Sequence, residues 1–296
     1  MNLTNPYADR DGGRWMRGNL HTHTTFSDGQ HTIEEVVDDY ASRGYDFLAI
    51  TDHDMMTDPE VLETCAAAAG DMILVPGNEI SNNGPHIVHV GSDRVIEPLE
   101  DRQEVFRQIN ASAGFSIVAH PNAWNHFNHC SIENLEEWQD YQGIEILNTL
   151  GWLGGDAYAL QKWDLLLCRG RRVWGFANDD THNPDMVARA WNVAYVTDPS
   201  PGGIVDALVR GAFYASCGVT INDIKVEGSR IRIEAEDAER IVAISNADNT
   251  YTHRVGQVDD RVMEIDFVEG KRFIRFECWG KGERFAWTQP IFCDDV

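Results

Sequence analysis

Short apolar runs recur along the first part of the chain. They include Phe47-Leu48-Ala49-Ile50, Met72-Ile73-Leu74-Val75, Phe115-Ser116-Ile117-Val118-Ala119, Gly143-Ile144-Glu145-Ile146-Leu147 and Val173-Trp174-Gly175-Phe176-Ala177. Runs this short and this apolar predict buried parallel strands. Stretches with helical spacing lie between them. Ile33, Val36, Val37, Tyr40 and Ala41 form one apolar stripe, opened by a Thr32/Glu35 capping box and stopped by Gly44. Asp58-Pro59 opens a helix ending at Gly70, Asp101 and Glu104 cap another that runs to Gly114, and a third passes through Leu160, Trp163, Asp164 and Leu167. Residues 191–196 predict a strand, 201–209 a helix and 213–216 a final strand. Strands thus alternate with helices from about residue 17 to 218. Polar clusters follow many of those strands, which predicts a parallel β/α barrel rather than an open sheet.

The tail changes character. From Thr220 to Val296 short β-rich runs separated by turn residues dominate, several alternating apolar with charged side chains. That pattern predicts a small antiparallel β-sandwich. The domain boundary is set near Gly218, giving residues 1–218 and 219–296.

The polar residues after the strands carry the chemistry. His21 and His23 on one strand face the same way, because side chains alternate with period two. Two neutral imidazoles side by side suit a divalent metal. Asp28 follows them, and Asp52, His53 and Asp54 follow the next apolar run, so both clusters reach the end of the sheet where α/β folds bind ligands. Glu79 stands just past the following strand. His86 and His89 are three apart and cannot share a face of a regular strand. His120 precedes Pro121, which predicts an extended histidine with a fixed direction. Asp180 and His182 follow a later strand. His126 and His129 fall in an irregular loop, open to substrate contact, proton donation or a plain surface place.

HTHTTFSDG followed by AITDHD resembles the opening of the PHP family, named for polymerase and histidinol phosphatase domains. Ala-His-Pro at 119–121 and Asp-x-His at 180–182 resemble later motifs of that family. The resemblance implies a distorted, TIM-like (β/α)7–8 barrel and metal-dependent hydrolase activity. Carried onto this chain, it implies that His21, His23, Glu79 and Asp180 hold one metal. Glu79, His89 and His120 then hold a second, and Asp28, His53 and His182 a third. His86 falls outside that set. Two or three divalent ions are expected, and such mixed nitrogen and oxygen ligands suit zinc, manganese or iron. The AWTQPIF ending is similar to tails in the branch that includes carbamate-cleaving members.

Composition narrows the partners. The chain has 296 residues and a formal net charge of −24, which argues against a surface for nucleic acid but not against a small anionic substrate. The six cysteines have no paired spacing, the first residues lack an apolar signal core, and no run approaches the ~18 apolar residues of a membrane span. A soluble cytoplasmic protein is expected.

The leading expectation is a phosphoesterase cleaving a small organic phosphate by attack of a metal-bound hydroxide. Asp52 and Asp54 are expected to orient ligating imidazoles. Arg189, just past the Asp180/His182 loop, is a candidate phosphate contact and equally a surface ion pair, and His129 is a candidate acid. An ester, amide or carbamate hydrolase using the same metals is the second expectation. A binding module with a structural metal, docking a glycan or a partner chain through aromatics such as Trp279 and Trp287, is the third.

Overall fold

The computed structural model describes residues 2–8, 10–123, 128–153 and 157–295. After β1 (Leu3–Thr4) come β2 (Arg14–Asn19), α1 (Ile33–Ala41), β3 (Phe47–Ile50), α2 (Pro59–Ala68), β4 (Ile73–Ile80) and β5 (Ile87–Val90). Then follow α3 (Arg102–Asn110), β6 (Phe115–Val118), α4 (Ile132–Glu137), β7 (Gly143–Asn148), α5 (Leu160–Cys168), β8 (Trp174–Asn178), β9 (Trp191–Val196), α6 (Pro201–Val209) and β10 (Phe213–Ser216). The helix starts are where the side chains put them. Thr32 and Glu35 close a reciprocal capping box on α1, and Asp58 and Asp101 cap α2 and α3.

The result is an α/β fold around a curled sheet ordered β10-β9-β2-β3-β4-β5-β6-β7-β8. The expected parallel pairing holds in two blocks, β2-β3-β4 and β6-β7-β8. It fails at β5, which is antiparallel to both neighbours, and at β9 and β10. The reason at β5 is the length of its connection. Only residues 81–86 join β4 to β5, and a parallel crossover needs about a dozen residues or more.

Alternate residues of these strands fill the inside of the curl. Met16, Phe47, Val75, Val88, Phe115 and Phe213 belong to one buried cluster there. Phe176 stacks on Phe115 and on Phe213, with ring centroids 5.8 and 4.6 Å apart, so the plug spans from β6 across to β10. Outside the curl, α1 and α2 cover β3 and β4, while α3 and α5 cover β5 to β8.

Strand β8 pairs with β7 on one side only, and its other edge is satisfied by side chains. Asn192 on β9 accepts from the Ala177 amide at 3.1 Å and donates to the Ala177 carbonyl at 2.9 Å. Gln289 does the same for Gly175, at 2.9 and 2.8 Å. Two buried amides thus stand in for a missing strand, so the backbone polar groups they reach are not left unpaired.

The tail contains β11 (Ile221–Glu227), β12 (Arg230–Ala235), β13 (Ala238–Asn246), β14 (Thr252–Val258), β15 (Val262–Asp266), β16 (Phe273–Gly280), β17 (Phe285–Thr288) and β18 (Ile291–Cys293). All of their pairings are antiparallel, as expected. Strand β17 pairs with β10 and so extends the curled sheet into the tail, while β11, β12 and β15 form a separate sheet. Both sheets feed one apolar cluster that includes Ile233, Ala243, Met263 and Phe276. β1 pairs with β18, which places the first strand beside the last. No helix among the described residues is long and apolar enough to cross a membrane.

Asn192→Ala removes both bonds to Ala177 and strands its amide and carbonyl in a buried place. The expected cost is about 2 kcal/mol or more, read by urea unfolding. A change within about 0.5 kcal/mol would mean the β8 edge is satisfied in another way.

Candidate metal centre

The site forms where the chain leaves β2, β3, β4, β6 and β8 at one end of the sheet. Residues 21–23 are extended and held on both sides. The His23 amide donates to the Thr181 carbonyl at 2.9 Å, the Asp180 amide to His21 at 3.1 Å, and the Thr51 amide to Thr22 at 3.0 Å. Thr22, pointing away, bonds the Ala49 carbonyl through its hydroxyl at 2.6 Å. His21 and His23 therefore point inward together, as the alternation requires. Glu79 is set by the Asp52 carbonyl, which accepts its amide at 3.2 Å, and by the Asp54 amide, which donates to its carbonyl at 2.7 Å.

The inward atoms crowd a small volume. Nε2 of His21 lies 3.3 Å from Glu79 Oε1 and 3.4 Å from Asp180 Oδ1. Nε2 of His23 lies 3.1 Å from Asp180 Oδ1 and 3.5 Å from Glu79 Oε2. Glu79 Oε1 also meets His120 Nε2 at 3.1 Å and His86 Nδ1 at 3.0 Å, and Oε2 meets His53 Nδ1 at 2.8 Å. Beside this group, Asp28 Oδ2 lies 3.5 Å from His53 Nε2 and 3.4 Å from His182 Nε2. Glu79 is the hub. It touches five imidazoles.

Crowding with few hydrogen bonds is the telling feature. Glu79 Oε1 pairs with His86 and His120, but His21 Nε2, His23 Nε2, His53 Nδ1, Glu79 Oε2 and Asp180 Oδ1 are buried with no hydrogen-bond partner among the described residues. Leaving even one such group unpaired costs roughly 1–3 kcal/mol. Donors about 2.1 Å from a shared cation stand about 3.0–3.5 Å apart, which is the spacing found here. His21, His120 and Asp180 are within reach of one ion, as are His21, His23 and Glu79, and as are His23, Asp28, His53 and His182. The donor set fits divalent metals.

A second ring of groups aims the ligands. Glu145 Oε1 accepts from His21 Nδ1 at 2.9 Å, which turns Nε2 inward. The same buried carboxylate accepts from the His120 amide at 2.7 Å and from the Asn148 and Asn178 side chains at 2.7 and 2.8 Å. Asn148 also donates to Asp180 Oδ2 at 3.0 Å, and the Asp180 carbonyl lies 2.9 Å from His182 Nδ1. Glu145 was missed as a ligand-orienting group by sequence reasoning. Its signal was a lone acid at an alternating position inside an apolar strand.

Other expectations are corrected. His89 lies outside the cluster: its Nε2 meets the Ala113 carbonyl at 2.8 Å, on the helix-facing side of β5. His86 takes its place, because period two puts His86 on the side of Val88, which faces the barrel plug. Asp52 and Asp54 orient loops rather than imidazoles. Asp52 accepts from Thr24 and Ser27, and Asp54 from Ser81 and Asn82. His120 is not extended, since its φ is +26°. The bond from its amide to Glu145 and the Ala119 bond to His86 hold it there. Asp54 and Asp180 also have positive φ, at 52° and 55°, a left-handed conformation that aspartate tolerates.

Asp180 joins the cluster and its neighbour Asp179 does not. Asp179 instead accepts from the Tyr40 hydroxyl and the amides of Ala188, Arg189 and Ala190, and burial pushes its carboxyl up to about 6. The Arg189 guanidinium has no hydrogen bond or ion pair among the described residues. His129 stands beside His86 and His120, its Nε2 accepting the His86 amide at 3.0 Å. Burial and those two imidazoles push His129 down to about 3, so it holds no spare proton at neutral pH. His126 lies outside the described residues.

Residues 19–158 match the family model of the PHP domain, which bears out the resemblance read from the two opening motifs. The match takes in the site from His21 to His120 and stops before Asp180. An uncharacterized protein of Methanocaldococcus jannaschii is 28% identical over 193 residues, 57% of this chain and 83% of that one. A crystal structure from Bacteroides vulgatus, of a two-domain protein containing a predicted PHP-like metal-dependent phosphoesterase, superposes with a TM-score of 0.57 at 18% identity. That superposition covers 93% of this chain and 95% of the other, and it speaks for the shared fold.

Charge in the cluster has a definite sign. Burial alone would raise Glu79 and Asp180, but the His21 imidazole beside them, with His86 and His23, holds both well below the usual carboxylate range. Burial would lower His21, His53 and His120, yet the carboxylates beside them overrule it and raise all three: Asp180 and Glu79 at His21 and His120, Glu79 and Asp28 at His53. Without cations these imidazoles carry the compensating protons. Their stabilisation is complete below about pH 6.5 and is lost as pH rises through the raised folded values. The melting temperature of chelator-treated protein is therefore expected to fall as pH rises above about 6.5, while zinc- or manganese-loaded protein keeps its value. Identical melting curves with and without chelator above that pH would count against a metal centre. Glu145→Gln is expected to weaken metal binding about 10–100-fold, measured by competition with a chromogenic chelator.

Proposed function

We propose that this chain, with its PHP-domain match over residues 19–158, is a metal-dependent phosphoesterase that cleaves a small organic phosphate. One observation carries the reading: buried nitrogen and oxygen atoms from four strand ends converge with no hydrogen-bond partner among the described residues. In this reading two or three divalent ions, zinc, manganese or iron, are bound. His21, His23, Glu79 and Asp180 hold one, Glu79, His86 and His120 another, and Asp28, His53 and His182 a third. Bound there, such ions supply Lewis acidity and an acidified water at neutral pH.

The chain's own groups prepare that chemistry. Glu145 fixes the His21 tautomer, and Asn148 holds one oxygen of Asp180 so that the other faces inward. Asp52 and Asp54 keep the 24–27 and 81–82 loops in place around the opening. Arg189, unengaged among the described residues, is our phosphate contact. Its backbone is pinned by Asp179, next to the ligand Asp180. The net charge of −24 supports a small substrate over a nucleic-acid polymer. All six cysteines are free and buried, which supports a reducing, cytoplasmic setting. We take residues 219–296 as a small antiparallel sandwich domain, a reading supported by the apolar cluster that their two sheets share and that Tyr7, Val193 and Tyr214 join from the rest of the chain.

A panel of phosphomonoesters and cyclic phosphates, offered to zinc- or manganese-loaded protein, tests the proposal. Turnover is expected on at least one, with a loss of at least about 100-fold on His23→Ala or on chelation. Turnover of aryl esters or carbamates alone would move the reaction to a carbonyl carbon. Silence on both panels would sink the hydrolase reading.

A further inference from the structure

A second cavity, of about 480 Å³, lies outside the metal centre and shares no residue with it. Its walls are aromatic. Trp152 and Tyr158 come from the stretch between β7 and α5, Trp279 from β16, and Phe285 and Trp287 from β17. Phe285 stacks on Trp287 at 5.6 Å between centroids, Tyr158 stands edge-on to Trp287 at 6.2 Å, and Trp279 edge-on to Phe285 at 5.9 Å. The lining is therefore a set of aromatic rings crossed at steep angles and contributed by both parts of the chain. The volume is within the range of small-molecule sites, about 300–1,000 Å³.

The polar atoms in the lining are acceptors. Glu277 and Glu283 supply two carboxylates, and no Lys or Arg belongs to the lining. Buried Arg275 contacts Glu277 at 2.9 Å but also Asp164 at 2.7 Å, so one cation serves two carboxylates. Glu283 has no ion pair among the described residues. One indole donor is already used: Trp279 donates to Glu277 at 3.1 Å. The fold itself already sets a guanidinium against one of these rings, with Arg240 5.7 Å from the Trp279 centroid.

We propose that this cavity binds a small organic cation, a quaternary or alkylated ammonium. Aromatic faces attract such a cation through their quadrupoles, and the two carboxylates supply the opposite charge. A neutral apolar guest would desolvate the carboxylates with no return. A sugar would need donors as well as acceptors, and the Trp279 indole is already spent on Glu277. The inference does not rest on the hydrolase reading.

Calorimetric titration with choline, against its neutral isostere 3,3-dimethyl-1-butanol and against glucose, tests it on the full chain. Choline is expected to bind saturably and the isostere about tenfold or more weakly. Trp152 is 38% exposed and Glu283 is exposed, so Trp152→Leu and Glu283→Gln are expected to fold normally. Each should weaken choline several-fold without moving the melting temperature. Equal binding of the isostere, preferential binding of glucose, no saturation by choline, or unchanged affinity in both folded variants would overturn the proposal.

Discussion

The constraint on which this structure depends is the burial of Glu79 among five imidazoles. Carboxylates and imidazoles driven this close lose their water, and among the described residues only His86 and His120 of the five imidazoles hydrogen-bond to Glu79. Such a group is unfavourable by itself. It is tolerable only if protons or cations neutralise it, and the ligand spacing suits cations. The backbone also bears part of the cost, with positive φ at His120.

The scaffold holds that cluster together by unusually direct means. The interior of the curl is packed by aromatic and branched side chains up to the ligand layer, so the strand ends cannot relax inward. The free edge of β8, which leads straight to Asp180, is satisfied by Asn192 and Gln289 instead of by another strand. Asn192 also donates to Asn178, which in turn donates to Glu145. A chain of buried amides thus runs from the seam of the sheet to the carboxylate that turns His21. Closure of the fold and aim of the ligand are one network.

The tail is joined to the same sheet through β10 and β17, and Tyr7 reinforces the joint. Its hydroxyl donates to the Phe213 carbonyl and accepts the Gln289 amide. The aromatic cavity lies along this junction, with walls from both sides. Its Tyr158 wall is held by Asn122, two residues past His120, at 2.6 Å. One hydrogen bond therefore links the loop after His120 to the wall of the aromatic cavity.

Much of this was legible along the chain, because it depends on local periodicity. The α1 capping box, the apolar runs and the inward pairing of His21 with His23 follow from spacings of two or of three to four residues. The choice of Asp180 over Asp179 came from the family's Asp-x-His pattern. What could not be read is what depends on distant partners. His86 replaces His89 because the barrel interior lies on one side of β5, and only the packed sheet says which side that is. β5 runs antiparallel because of the length of the turn before it, and that turn was visible. Glu145 became a ligand-orienting group because three-dimensional closure brings β7 beside His21, which stands 124 residues earlier. The bend at His120 comes from that same buried carboxylate and overrides the local preference of a residue before proline. The sequence by itself determined which residue types could bind metal and which face each strand alternates. Tertiary structure alone decided which face is inside, because that is set by contacts far apart in the chain.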